Sequence, residues 1–305
     1  MAVGNKLPKE ANILDYTLVL ICVAIWAGSF AAMKVAVQEA HPAVVVWFRM
    51  IICVPILFIG AKLRETFRLP QKNEIAPLCL MGFQGLFLVL VLQSYAMKTA
   101  SAATANWIII CSPAFVAILG MIFLKEKMSL FAVAGLFLAA VGVTVVLLLG
   151  TVKNSIGPNG GAVTVGDGLI LFSALNWSAF LVMSRKFISE KLDSAFVIFW
   201  EMFFAMAAST IHIIILRCDI SCAVAFSPQT WISLFFLGAG SSAVSYFFWF
   251  HGLSVLPVSK IVVFQFLQPF VGALIAYFLL CEHFTLWLFI GGCLITMGVW
   301  MVNKK

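Results

Sequence analysis

The chain has 305 residues, of which 63% are hydrophobic and 10% are charged, and its formal net charge is +7. Because an ordinary soluble domain carries roughly 25% charged residues, this composition excludes a soluble protein and indicates an integral membrane protein. Spans of about 20 to 25 residues leave room for roughly ten helices and for no separate aqueous domain. The basic residues collect near predicted span ends, which favours contact with anionic lipid headgroups and no nucleic-acid partner.

Charged residues, prolines and glycines divide the chain into ten predicted transmembrane helices. In the first half we predict helices over residues 14–37, 42–61, 74–97, 100–124 and 130–149. The stretch 150–166 contains Gly157-Pro158-Asn159-Gly160-Gly161, a run of turn-forming residues that predicts a linker. In the second half we predict helices over residues 167–188, 194–216, 230–253, 257–280 and 285–302. The predicted fold class is therefore an all-α integral membrane protein.

The second set of five helices repeats a pattern of the first set. Ser112-Pro113-Ala114-Phe115-Val116 corresponds to Gln268-Pro269-Phe270-Val271-Gly272, and 156 residues separate the two prolines. The same spacing holds for three other pairs: Glu126 and Glu282, Gly135 and Gly291, Gly142 and Gly298. An odd number of spans per copy inverts the second copy, as in many secondary transporters. We therefore predict two inverted five-helix repeats, residues 14–150 and 166–303.

The distribution of basic residues predicts the orientation of the chain. With a cytoplasmic N-terminus, 13 of the 19 Lys and Arg residues face the cytoplasm and four face the other side. The remaining two, Arg49 and Lys260, lie within predicted spans. We expect a multi-pass protein of the cell (inner) membrane with both termini in the cytoplasm. The first helix is too long for a signal peptide and is expected to stay in the mature protein.

A recognisable order of motifs runs through both halves. Trp26 and Trp177 lie in the first helix of each half, Arg49 lies in helix 2, and a proline followed by a glutamate marks helices 4 and 9. From about residue 14 to residue 303 the chain resembles the EamA-domain family of the drug/metabolite transporter superfamily. The resemblance implies a carrier whose central cavity is lined by helices 1, 3, 4, 6, 8 and 9. It leaves the substrate open among amino acids, nucleosides, other metabolites and drugs.

Polar and aromatic residues of the cavity helices are the predicted substrate-binding residues. In helix 8, Ser242, Ser245 and Trp249 follow i, i+3, i+7 spacing and share one face. In helix 9, Gln265 and Gln268 share a face in the same way, although hydrogen bonding between helices explains such faces equally well. The full predicted set is Trp26, Gln84, Trp177, Ser242, Tyr246, Trp249, Gln265 and Gln268. Plain packing explains Trp26 and Trp177 equally well.

Two charged residues and two prolines are the other candidates. Arg49 and Glu201 each lie about seven residues, or roughly 10 Å, inside a span, where ionisable groups usually face a cavity or a partner. We predict them to be cavity or coupling charges. Binding of backbone carbonyls or snorkelling to the headgroups is the alternative for Arg49, and a hydrogen bond to a neighbouring helix is the alternative for Glu201. Pro113 and Pro269 are predicted hinges, since each removes a backbone donor, and a static kink is the alternative.

These observations together favour a secondary active transporter of a small organic metabolite such as an amino acid, working by alternating access. Efflux of drugs or toxic metabolites is the alternative function. A channel is disfavoured because no ring of like charges is visible, and an enzyme is disfavoured because no catalytic motif occurs. The expected partners are the substrate, membrane lipid and a coupling proton, with no metal or cofactor. The oligomeric state, and a disulfide between Cys218 and Cys222, stay open.

Overall fold

The computed structural model describes residues 12–123, 129–150, 163–187, 192–255, 264–265, 267–282 and 285–303. Within these residues the regular secondary structure is helical and contains no strand. Eight of the described helices are long and apolar enough to cross a membrane, and two shorter apolar helices follow them. The all-α membrane fold with ten helices that the sequence predicts is confirmed.

The first half contains five helices, three of which follow a side chain that accepts a hydrogen bond from a free amide at the helix start. His41 accepts from the Ala43 amide ahead of α2, and the Ser129 hydroxyl accepts from the Ala132 amide ahead of α5. The helices are α1 (Ile13–Glu39), α2 (Pro42–Leu63), α3 (Lys72–Ala96), α4 (Ala102–Ile109 and Ser112–Phe123) and α5 (Leu130–Leu149).

The second half also contains five helices. Asp193 caps the start of the second helix of this half, because its carboxylate accepts hydrogen bonds from the Ala195 and Phe196 amides. The glycine-rich linker at 157–161 and the predicted start of helix 9 at 257–263 lie outside the described residues. The helices are α6 (Val165–Phe187), α7 (Ser194–Ile215), α8 (Pro228–Phe235, Phe236–Val244 and Ser245–Val255), α9 (Gln268–Leu280) and α10 (Leu286–Asn303).

Helix α4 is broken at its centre, beside Pro113. The first segment ends at Ile109, a turn follows, and Pro113 is the second residue of the next segment. A proline ring clashes with the carbonyl four residues earlier and supplies no donor to it, and that carbonyl belongs to Ile109. The Ser112 hydroxyl donates to the Ile109 carbonyl at 2.7 Å instead. The break therefore leaves this carbonyl satisfied inside the protein.

The third helix of each half contains a π-helical turn that the sequence did not predict. In α3 the turn covers Gly82–Leu88, and in α8 it covers Phe236–Val244. A further π-helical turn, Val146–Gly150, ends α5. Such turns lack the regular α-helical hydrogen bonds and often occur at functional sites. Their presence at corresponding places in α3 and α8 agrees with a duplicated fold.

The ends of α2 and α7 have the same backbone geometry. Glu65 and Arg217 adopt left-handed conformations with φ of 58° and 51°. The next residue closes the helix in each case, with Thr66 N bonded to Ala61 O at 3.0 Å and Cys218 N bonded to Ile213 O at 3.0 Å. The pairs Glu65 and Arg217, and Arg49 and Glu201, have the same sequence separation, so the repeat register holds from mid-helix to the loop.

Helices of each half pack against helices of the other half. Helix α1 packs against α8 and α9, while α6, its counterpart in the second half, packs against α3 and α4. Helix α2 packs against α7, and α5 packs against α10. Exchanging each helix for its counterpart reproduces the same set of contacts, as a pseudo-two-fold arrangement requires. Two groups result: α1, α8 and α9 form the first group, and α3, α4 and α6 form the second group.

Helices α5 and α10 meet at four glycines. A Cβ atom on Gly298 would lie 2.5 Å from the Gly135 carbonyl oxygen, and a Cβ atom on Gly142 would lie 2.7 Å from the Gly291 carbonyl oxygen. The two contacts are reciprocal in the repeat register, because Gly135 corresponds to Gly291 and Gly142 to Gly298. Glycine is needed here because the two backbones touch.

We expect Gly298→Ala to lower the free energy of unfolding by about 1–3 kcal/mol, because the added methyl group must push the two backbones apart. Gly60→Ala in α2 is the matched control, since its Cβ would meet nothing within 4 Å. Thermal unfolding of the purified variants in detergent measures the difference. Equal melting temperatures for the two variants would contradict the close contact.

Candidate functional site

An aromatic cluster joins the two halves at the centre of the protein. The Tyr246 ring of α8 lies 5.6 Å from the Trp26 ring of α1 and 6.4 Å from the Trp177 ring of α6, between ring centroids. The Trp249 ring lies 5.1 Å from the Trp26 ring. The structure thus brings together four residues of the predicted substrate-binding set, one from each tryptophan-bearing first helix and two from α8.

Arg49 is buried next to this cluster and is held by two hydroxyl groups. Its side chain is 4% exposed. The Nε atom donates to Ser242 Oγ at 2.6 Å, and Nη2 donates to Ser241 Oγ at 3.0 Å. Trp26 Nε1 donates to the Ser241 carbonyl at 3.1 Å, so Ser241 binds both the aromatic cluster and the guanidinium. Arg49 is directed into the bundle rather than towards the headgroups, the alternative that its sequence position left open.

No carboxylate neutralises Arg49 among the described residues, where the three ion pairs are Lys34 with Glu282, Arg68 with Glu74, and His251 with Asp15. A guanidinium carries five N–H donors, and protein hydroxyls take two of them here. A buried charge usually requires an opposite charge or a full set of hydrogen bonds. Arg49 therefore keeps donors available for an anionic group.

Glu201 of α7 is also buried, with 2% of its surface exposed. Among the described residues its carboxylate makes no hydrogen bond and no ion pair. Its backbone is pressed against α3, because a Cβ atom on Gly82 would lie 2.3 Å from the Glu201 carbonyl oxygen. Glu201 is therefore not the counter-ion of Arg49, and its carboxylate is free to bind a proton or a cationic group.

Gln84 of α3 pairs with Asn176 of α6, a residue that the sequence analysis did not single out. Gln84 Nε2 donates to Asn176 O at 2.9 Å and to Asn176 Oδ1 at 2.7 Å, and Asn176 Nδ2 donates to Gln84 O at 2.7 Å. The Gln84 Oε1 atom is buried without a partner. An amide inside an apolar span, next to Trp177, is the sequence signal that could have identified Asn176.

Asn106 of α4 is a second polar residue that sequence reasoning missed. Its Nδ2 atom donates to the Ala27 carbonyl of α1 at 3.2 Å and to Ala102 O at 3.0 Å, and its Oδ1 atom has no partner. A Cβ atom on Gly272 of α9 would lie 2.3 Å from this side chain. Asn106 therefore lies where α1, α4 and α9 meet, close to the aromatic cluster.

The remaining predicted residues lie near the start of α9. Gln268 is its first residue and is half-buried, Pro269 is its second, and Gln265 lies just before it. Among the described residues neither glutamine makes a hydrogen bond. Pro113 and Pro269 both lie in the first turn of a helical segment, where a missing N–H costs little, and Pro113 lies near the middle of the span 102–123 as the sequence predicted.

A model of the EamA-like transporter family matches residues 14–148 and 164–304. The chain belongs to this family. It is a multi-pass membrane protein of a transporter family, as the resemblance of its motifs implied. The two matched stretches lie on either side of the predicted linker.

Relatives and one solved structure show similarity over most of the chain. An uncharacterized transporter of Archaeoglobus fulgidus is 25% identical over 96% of this chain and 99% of its own length. A probable terminal-alkyne amino-acid exporter of Streptantibioticus cattleyicolor is 23% identical over 94% of this chain and 92% of its own. An S-adenosylmethionine/S-adenosylhomocysteine transporter of Chlamydia trachomatis is 29% identical over 64% of this chain and 60% of its own length. One crystal structure has a TM-score of 0.67 at 18% identity, covering 96% of this chain and 97% of that chain, and shows the fold.

We expect the Gln84 and Asn176 side chains to be energetically coupled, by about 0.6–1.7 kcal/mol, the usual size of a hydrogen-bonded coupling between membrane helices. A double-mutant cycle of Gln84→Ala, Asn176→Ala and the double variant, followed by unfolding in mixed micelles, measures this coupling. Gln268→Ala combined with Asn176→Ala is the control. Additive effects of Gln84→Ala and Asn176→Ala would contradict the reciprocal pair.

Proposed function

We propose that the protein is a secondary carrier of a small amphipathic metabolite of the amino-acid type, which it moves across the cell membrane by alternating access. The observation that carries the proposal is a pair of buried, opposite charges that do not neutralise each other. Arg49 is held only by hydroxyl groups, and Glu201 has no partner among the described residues. A substrate that carries both an anionic and a cationic group complements such a site.

Arg49 is assigned to the anionic group of the substrate. A guanidinium binds a carboxylate with two parallel hydrogen bonds, a geometry that a Lys cannot reproduce. Ser241 and Ser242 fix the position of the guanidinium before the substrate arrives, which lowers the entropy cost of binding.

Glu201 is assigned to the cationic group or to a coupling proton. A carboxylate in a region of low polarity is stabilised by taking up either one. Alternation between the two would link substrate movement to proton movement. The aromatic cluster of Trp26, Trp177 and Tyr246 supplies apolar surface for the rest of the substrate, and aromatic faces also attract cations.

Two relatives support this substrate class. One is named a probable terminal-alkyne amino-acid exporter and the other an S-adenosylmethionine/S-adenosylhomocysteine transporter. For the orientation we retain the cytoplasmic placement of both termini that the basic residues predict. Efflux of a drug or toxic metabolite is the second candidate, and the aromatic cluster favours it for a hydrophobic cation.

The carrier function is tested with purified protein in proteoliposomes and a panel of radiolabelled amino acids and hydrophobic cations. We expect saturable uptake that is accelerated by the same substrate on the opposite side. Arg49→Lys should reduce uptake of carboxylate-bearing substrates more than tenfold, because the paired hydrogen bonds are lost. Arg217→Lys in an exposed loop is the control. Uptake of amino acids that is unchanged in Arg49→Lys would contradict the anion site.

The role of Glu201 predicts a change in pH dependence. We expect Glu201→Gln to fold and to transport with little dependence on pH, because the glutamine amide does not ionise as a carboxyl group does. Flux is measured over about two pH units on either side of neutrality, a window in which buried carboxylates titrate. Glu65→Gln, in an exposed loop, is the matched control. Identical pH profiles for Glu201→Gln and the unmodified protein would rule out coupling through Glu201.

A further inference from the structure

Lys34 and Glu282 bind the backbone at the start of α4, at one end of the bundle. Lys34 Nζ lies 3.1 Å from Glu282 Oε1 and donates to the Ala100 carbonyl at 2.8 Å. Glu282 Oε1 accepts from the Ala102 amide and Oε2 accepts from the Ala103 amide, both at 3.0 Å. Three polar contacts therefore converge on residues 100–103, and the ion pair joins the two side chains that make them.

The chemistry of these contacts makes them strong. The first amides of a helix have no partner inside the helix, and its positive dipole end favours a carboxylate. Both Glu282 oxygens bind amides in charge-assisted hydrogen bonds. The Glu282 side chain is 10% exposed, so water competes little for these bonds. Removal of the carboxylate leaves the Ala102 and Ala103 amides without a partner in a nearly buried position.

The position of Glu282 is set by the end of α9. Cys281 adopts a left-handed conformation with φ of 52°, and Glu282 N bonds to Ala276 O at 3.2 Å. This geometry closes the helix and places the next side chain across the gap to α4. The carboxylate is therefore presented by a rigid helix end rather than by a loose loop.

The contacts cross from one group of helices to the other. Lys34 belongs to α1 and Glu282 follows α9, both in the first group, whereas residues 100–103 begin α4 of the second group. Lys98 Nζ, after α3, also donates to the Val37 carbonyl of α1, which is a further contact between the groups. Two other contacts at this end stay within a group. Glu39 Oε2 of α1 accepts from the Ser227 amide ahead of α8 at 2.8 Å, inside the first group. Gly166 N of α6 donates to Thr99 Oγ1 at 2.9 Å, inside the second group.

We propose that Lys34 and Glu282 form a latch that closes this end of the transport pathway, and that the pathway opens here only when Glu282 releases the Ala102 and Ala103 amides. The proposal rests on the alternating-access function proposed above. In the predicted orientation this end faces outside, so the latch closes the external entrance. Separation of the two helix groups at this end breaks the three contacts to residues 100–103, whereas the Lys34–Glu282 ion pair stays within the first group.

The latch is tested without any substrate, on purified protein in lipid nanodiscs. Hydrogen exchange of the peptide that contains Ala102 and Ala103 reports the local contact. The rate of thiol modification of native Cys53, which is buried one turn from Arg49, reports opening of the interior and is measured by mass spectrometry of the peptide. We expect Glu282→Gln to increase both rates by about tenfold or more, the effect of losing charge-assisted hydrogen bonds.

Two further variants and one remote peptide make the test decisive. Lys34→Gln keeps the Glu282 carboxylate and should raise Cys53 modification by a smaller factor, and it decides the question if Glu282→Gln does not fold. Glu39→Gln removes a similar carboxylate–amide contact within one group and should leave Cys53 unchanged. Exchange at the start of α7, beside Ala195 and Phe196, should also be unchanged, which shows that the other end stays closed.

Faster exchange at Ala102 and Ala103 with unchanged Cys53 modification in both latch variants would overturn the proposal, because Glu282 would then only cap α4. An equal rise in the Glu39→Gln control would also overturn it. The result is independent of the flux measurements. A protein that opens as expected but transports no amino acid would retain the latch and refute the proposed substrate.

Discussion

The structure depends on one constraint: each polar backbone group released inside the hydrocarbon region must be satisfied by the protein itself. The broken and π-helical segments release such groups at the centre of the bundle, and named side chains take them up. Ser112 binds the carbonyl freed before Pro113, Trp26 binds Ser241 O in the π-helical turn of α8, and Asn176 binds Gln84 O in that of α3. The irregular backbone of α3, α4 and α8 thus lies where helices from both halves meet, whereas a further π-helical turn ends α5.

This constraint also couples the site to the architecture. Trp26 reaches from α1 into α8, and Asn176 reaches from α6 into α3, so the first helix of each half is tied to the other half. The first group and the second group therefore each contain helices of both repeats. Movement of these groups against each other would change the space around Arg49 and Tyr246 while the α5 and α10 contact stays in place. The four touching glycines suit those helices to a scaffold role.

Charged residues are arranged in two different ways in the bundle. At the centre, Arg49 and Glu201 are buried without opposite charges among the described residues, which is costly unless a ligand or proton compensates. At the end of the bundle, Lys34 and Glu282 neutralise each other and also satisfy the start of α4. The first arrangement leaves charges that a substrate or proton would compensate in the proposed function, and the second ties the ends of α1 and α9 to the start of α4.

The sequence by itself determined the membrane class, ten helices and the duplication, because apolar span length, turn-forming residues and a repeated spacing are local properties of the chain. It also identified Trp26, Trp177, Tyr246 and Trp249 as candidates, since aromatic residues in spans are visible without a structure. The tertiary structure decided which of them meet, that α1 packs with the other half, and that Asn176, Asn106 and Ser241 belong to the site. Those facts depend on contacts between residues far apart in sequence. The π-helical turns and the hydrogen bonds from the Ala102 and Ala103 amides to Glu282 were likewise decided by packing, because neither is specified by the residues on one helix alone.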